Sequence, residues 1–153
     1  MAEIKIVTFS LGKEKYGLDI MKIDAVAEFE EVTSLPQTAD FIEGIINFRK
    51  REVLPLINLR RKFKLPDFEN KELSKVIVIK MKDRKIGVMV DEVKEVMSLS
   101  PDKIEEKPSV GGMRNTQFIS GIAKIDNHMI IILDINKLLT EEEKIEISEV
   151  VSS

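Results

Sequence analysis

The chain has 153 residues, a net charge of −3, one His and no Cys or Trp. The lack of Cys excludes a disulfide framework and a thiolate metal site, and a lone His with neither a Gly-rich phosphate loop nor a His-Glu-x-x-His helix leaves little for catalysis. The longest uninterrupted apolar run, residues 129–133, is far short of the roughly 20 residues of a membrane-spanning helix, so a cytoplasmic protein with no direct membrane insertion is expected.

In chain order, residues 4–11 alternate in polarity and carry β-branched side chains, which predicts a strand, and 12–15 form the turn out of it. Residues 18–28 suit both a helix and a strand; a short helical turn followed by a strand over 25–32 is expected. Thr38-Ala39-Asp40 caps a brief helical turn. Residues 45–48 and 53–57 pair as a hairpin, and 59–63 is a short helix. Polar residues 66–73 form the joint between two halves. A hairpin of 76–81 with 86–90 and a strand over 93–99 come next. Residues 100–117, with two Pro and two Gly, read as a long mobile loop. A last hairpin joins 119–125 to 129–133, and the chain turns helical from 136 before fraying into an acidic tail.

The two halves repeat one another. Phe41-Ile42-Glu43-Gly44-Ile45 returns as Phe118-Ile119-Ser120-Gly121-Ile122, and Lys15-Tyr16-Gly17-Leu18-Asp19 returns as Lys85-Ile86-Gly87-Val88-Met89. Two copies of similar β pattern predict two like modules, covering about 4–65 and 74–139 of a single domain spanning 4–139, with 140–153 as the tail. Strands from the two copies are free to interleave.

Charge is uneven. Residues 49–64 carry about +6 and residues 141–149 about −4, and such runs are most often solvated faces. His128 falls at a hairpin tip, where an exposed turn residue accounts for it. Asp19, Asp91 and Asp134 fall at strand ends or helix starts, where capping explains them. Gly44 and Gly121 each precede a strand at the same point of their copies, which asks for positive φ or close backbone approach. Met81, Met89, Met97, Met113 and Met129 read as pliable core filling. Arg49 sits where the first-half hairpin turns; its copy-mate is Asp126, so duplication does not require it, and a planar guanidinium suits forked contacts at an interface.

The string Phe41-Ile42-Glu43-Gly44-Ile45-Ile46-Asn47-Phe48-Arg49, followed by Val53-Leu54-Pro55-Leu56-Ile57-Asn58-Leu59-Arg60, closely resembles the signature of the CheW family of bacterial chemotaxis coupling proteins. Phe9-Ser10-Leu11-Gly12 with Tyr16-Gly17-Leu18-Asp19-Ile20 is similar to that family's opening, and residues 87–99 and 118–139 resemble its second half. One position departs: the family usually has Gly after the hairpin arginine, and here it is Lys50. The resemblance implies a mostly all-β fold of two five-stranded SH3-like β barrels packed together, with a few short helices and no catalytic activity, cofactor or metal. It further implies a protein, monomeric when free, that is recruited to membrane-associated receptor arrays. There it bridges a chemoreceptor's cytoplasmic tip to the regulatory domain of the histidine kinase CheA. By the same resemblance, Ile20, Ile23 and Val26, with Arg49 nearby, would line the receptor groove. Val32, Thr33, Leu35, Pro36 and Gly44 would contact the kinase, and Ile104, Glu105, Lys107 and Val110 would make a second kinase contact.

From the residues alone, Ile20, Ile23 and Val26 are equally suited to burial and to an exposed ridge for a partner helix. Two other function classes compete with the adaptor. A nucleic-acid binder would use the basic stretch and lose affinity steeply with salt, but eight Phe and Tyr, mostly on apolar strand faces, offer few stacking platforms. An enzyme would need a convergent polar pocket.

Overall fold

The computed structural model describes residues 3–36, 38–50, 52–82, 84–105 and 118–152. Eleven strands lie among them: β1 (Ile4–Leu11), β2 (Glu14–Asp19), β3 (Ile23–Glu28), β4 (Ile42–Phe48), β5 (Glu52–Asn58), β6 (Lys75–Lys80), β7 (Lys85–Val90), β8 (Glu92–Leu99), β9 (Ile104–Glu105), β10 (Ile119–Ile125) and β11 (His128–Leu133). The helices are α1 (Leu59–Lys62) and α2 (Glu141–Ser152), with single 3-10 turns at Ile20–Lys22, Lys71–Leu73, Pro101–Lys103 and Ile135–Lys137. The fold is mostly β, in two packed sheets.

One sheet runs β3-β6-β7-β5-β4 and the other β8-β1-β2-β11-β10-β9. Apart from the two-residue β9, the two orders are the same once each strand is replaced by its repeat-mate. Each sheet is nevertheless built from both halves: the hairpin β1–β2 pairs with β8 and β11 of the second half, and β6–β7 pairs with β3 and β5 of the first. The halves exchange their hairpins, so the polar joint at 66–73 is a sequence boundary and not a boundary between sheets.

Burial explains why these strands take the centre. In β6, Val76 and Val78 face one apolar cluster with Leu54, Leu56 and Met89, while Ile77 and Ile79 face another that holds Phe9, Leu11, Ile57 and Val88. A continuous apolar run such as this requires cover on both faces. The second cluster lies between the sheets and also takes in Leu138, Leu139 and Ile147. A third, Ile6, Leu99, Ala123, Ile130 and Ile132, packs on the opposite face of the second sheet. Rings of Phe9, Tyr16, Phe63 and Phe118 contact one another in sequence with centroids 5.6, 5.6 and 4.8 Å apart.

Several elements differ from expectation. Residues 14–19 are a strand, because the turn at Gly12 returns the chain along β1 from Leu11↔Glu14 to Ile6↔Asp19. Strand β3 begins at Ile23 and ends at Glu28, earlier than 25–32. Residues 38–40 form no helix; the chain there makes one hydrogen-bonded turn over residues 39–42, Ile42 N–H to Ala39 C=O at 3.0 Å. Asp19 and Asp134 do cap turns, accepting from Met21 and Asn136 N–H, but Asp91 does not. Its Oδ2 accepts from Gly12 N–H at 2.7 Å, and Arg60 bonds both its oxygens at 2.8 and 2.5 Å. Met89 is core and Met81 and Met97 pack against the other two clusters, but Met129, near the start of β11, is 60% exposed. Met113 lies outside the described residues. The acidic tail is helical, and Ile147 is fully buried.

Candidate protein-docking site

No group of three or more His, Cys, Asp or Glu among the described residues could hold a metal ion, and no described helix is long and apolar enough to cross a membrane. The features that remain are edges and exposed apolar side chains.

The first set is built on β3, an edge strand. A bulge between Ile23 and Ala25 leaves Asp24 as the extra residue, and a bulge re-aims its side chain. Asp24 Oδ2 lies 3.4 Å from Lys85 Nζ and 3.8 Å from Arg49 Nη1. Arg49 also lies over the Phe48 ring, 4.6 Å from its centroid, and its side chain is 60% exposed. The structure therefore brings Arg49 to β3, beside Ile23, with its guanidinium half committed and half free. Ile23 packs against the inter-sheet core and Ile20 is half-buried, so these two are not an open ridge. Val26 is 49% exposed and Met21 75%. Asp24 and Met21 were not singled out from sequence. Asp24 was legible only as one charge inside an apolar run.

Both Arg49 and Lys50 have positive φ, 54° and 63°. The backbone thus keeps the left-handed turn that a glycine would favour, and Lys50 accepts the strain.

The second set lies along β4. Thr33 exchanges two backbone hydrogen bonds with Ile45, at 3.0 and 2.9 Å, and Val32 packs beneath it against the first-sheet cluster. This approach needs Gly44: its φ is +153°, and a Cβ there would overlap the Thr33 carbonyl oxygen and sit 2.7 Å from Val32 Cγ1. Thr33 and Pro36 are exposed and Leu35 half-buried. Beside them an open groove of about 530 Å³ is lined by Glu30, Glu31, Thr33, Ile45, Ile46, Asn47 and Val53.

The third set is the repeat-mate of the second. β9 lies on β10 with Glu105↔Ile122, as Thr33 lies on Ile45, and a Cβ on Gly121 would come 2.8 Å from the Glu105 carbonyl oxygen. Ile104 is the counterpart of Val32 and packs into the second-sheet cluster. Glu105 is exposed, 3.2 Å from Lys124. The residues 32–36 and 104–105, singled out separately in the sequence, occupy equivalent edges of the two sheets. Lys107 and Val110 lie outside the described residues.

The basic stretch 49–64 is not one free surface. Arg60 is held by Asp91 and the Pro66 carbonyl, Arg61 by Asp67 and the Asp40 carbonyl, and Lys62 by both oxygens of Glu143 at 2.6 Å. Burial pushes Asp67 up, but hydrogen bonds from Asn58, the Phe68 N–H and Arg61 outweigh it and hold the carboxyl at about 2. Burial likewise opposes Asp91, and the Arg60 bonds still lower it.

The CheW-like domain model matches residues 5–143. The chain belongs to the CheW family. The chain is 34% identical over 149 residues to the chemotaxis protein CheW of Klebsiella aerogenes, covering 97% of this chain and 89% of that one. It is 30% identical over 145 residues to that of Treponema pallidum, covering 92% and 85%. The crystal structure of the scaffolding protein TtCheW from Thermoanaerobacter tengcongensis superposes with a TM-score of 0.82 at 37% identity, covering 94% of this chain and 96% of that one. Membership in the CheW family agrees with the two-sheet fold and places the glycine-shaped edge at Gly44 inside the matched region.

Proposed function

We propose that this chain is a noncatalytic adaptor of bacterial chemotaxis that couples chemoreceptors to the histidine kinase CheA within the cytoplasmic signalling array. The observation that carries this reading is the match to the CheW family over residues 5–143. Geometry supports it by offering separate faces: β3 with Val26, Met21 and Arg49 for a receptor helix, and the segment at Thr33, Leu35 and Pro36 beside β4 for the kinase regulatory domain. The equivalent edge at β9 supplies the second kinase contact. Two equivalent edges on one body let an adaptor engage two partners at once, and weak contacts of that kind gain from multivalency.

The test is a backbone NMR titration of the labelled chain with the CheA regulatory domain and, separately, with a receptor-tip hairpin. Shifts at residues 32–45 and 104–105 with the kinase, and at residues 20–26 and 49 with the receptor, are expected. Shifts from either partner confined elsewhere, or none at high micromolar concentration, would overturn it. Arg49→Ala should weaken receptor binding and change stability by no more than about 1 kcal/mol, the range of an exposed ion pair.

A further inference from the structure

The segment that carries Thr33, Leu35 and Pro36 is fastened at both ends. At one end is the Thr33–Ile45 pair. At the other, Ala39 N–H donates to Glu146 Oε1 at 2.8 Å, while Ala39 C=O accepts from Ile42 N–H. Only residues 34–38 lie between the two pins. Thr38 Oγ1 adds a longer bond to the Leu35 carbonyl at 3.4 Å.

Glu146 is held in place by α2, which is itself secured in three ways. Thr140 and Glu143 form a reciprocal cap: Glu143 N–H donates to Thr140 Oγ1 at 3.1 Å and Thr140 N–H to Glu143 Oε1 at 2.8 Å, the pairing that starts many helices. Glu143 reaches across to Lys62 of α1, and Lys62 in turn lies over the Phe41 ring at 4.6 Å. Ile147, next to Glu146, is buried among the residues between the sheets. The carboxylate is therefore presented to Ala39 by a rigid element.

We propose that Glu146 is a positioning residue for the kinase-docking segment: by pinning Ala39, α2 holds Leu35, Pro36 and Thr38 in the conformation that the partner meets. This rests on the reading of residues 32–36 as the kinase face. Glu146 and Ile147 lie C-terminal to the residues 5–143 that the family model matches, so the pin is not part of that pattern. The physical gain is preorganisation. A loop tethered at both ends has less freedom to lose on binding, and the ordering cost avoided appears as affinity. Losing one hydrogen bond to a part-buried N–H corresponds to about five-fold in an equilibrium constant.

The experiment compares the full-length chain with Glu146→Ala and Glu146→Gln, by amide hydrogen exchange and by calorimetric binding of the CheA regulatory domain. Glu146→Ala should speed exchange about five-fold or more at Ala39, Thr33 and Ile45 while Ala123 in β10 keeps its protection, and should weaken kinase binding about five-fold. Glu146→Gln retains a carbonyl acceptor and should stay close to the parent in both. Unchanged exchange in Glu146→Ala, faster exchange at Ala123 as well, or failure of Gln to rescue would overturn the inference. If exchange responds as expected but the kinase domain binds no form of the protein, the adaptor reading fails and takes the docking role with it, and only the Glu146–Ala39 contact stands. If kinase binding is intact and indifferent to Glu146→Ala, the pin fails and the adaptor reading stands.

Discussion

Gly44→Ala isolates the contact that shapes the β4 edge. At φ +153° an L-residue is held outside its allowed regions, at a cost of about 1–3 kcal/mol. The new Cβ also overlaps the Thr33 carbonyl oxygen, so the segment must lift away, and the two Thr33–Ile45 hydrogen bonds are each worth about 0.5–1.5 kcal/mol. Together these give a loss of about 2–6 kcal/mol, which for a chain of this size lowers Tm by roughly 4–24 °C. Gly121→Ala is the internal control. Gly121 is not among the positive-φ residues, and its Cβ would press on Ile104 Cγ2 at 2.7 Å and the Glu105 carbonyl at 2.8 Å, so β9 must shift but the backbone stays unstrained. Its loss should be smaller. Thermal denaturation followed by circular dichroism measures both, with amide exchange at Thr33 and Ile45 as the local readout. A Tm loss under about 3 °C in Gly44→Ala, or retained protection at those two amides, refutes the reasoning.

Lys50→Gly removes a side chain from a left-handed turn at φ 63°; relief of that strain, offset by the greater freedom of glycine when unfolded, should leave the protein more stable by up to about 1 kcal/mol in urea denaturation. Asp67 is held at about 2 against its usual 3.8, so its contribution is complete above pH 3.8 and is lost as pH falls through 2. Because its side chain is 34% exposed, solvent screening leaves about 1 kcal/mol of that shift as stability; Asp67→Asn should cost this at pH 7 and much less at pH 2, and an equal cost at both would contradict it. Ile147→Ala should cost about 2–4 kcal/mol by urea denaturation, as for other buried large-to-small changes, whereas a loss under about 1 kcal/mol would show that α2 does not pack against the sheets in solution.

Local features were determined by the sequence alone. Alternation over 4–11 and the apolar runs of 76–79 and 130–133 specify strands, because side chains on a strand must sort to two faces whatever the partner strand is. The duplication makes Gly44 and Gly121 equivalent, and the spacing of the blocks around Arg49 is enough to suggest the family. Tertiary structure decided what those strands pair with. Backbone hydrogen bonds are the same at every residue, so nothing local tells β1–β2 to join β8 and β11 instead of β3 and β5; the choice follows from covering both faces of the central strands at once. The same limit applies to charge. Asp91 looks like a cap in sequence and is instead the partner of Arg60, 31 residues away, and Glu146 looks like solvated tail and instead holds Ala39, 107 residues away. Long-range partners such as these are set by where packing brings two side chains, which no spacing along the chain encodes.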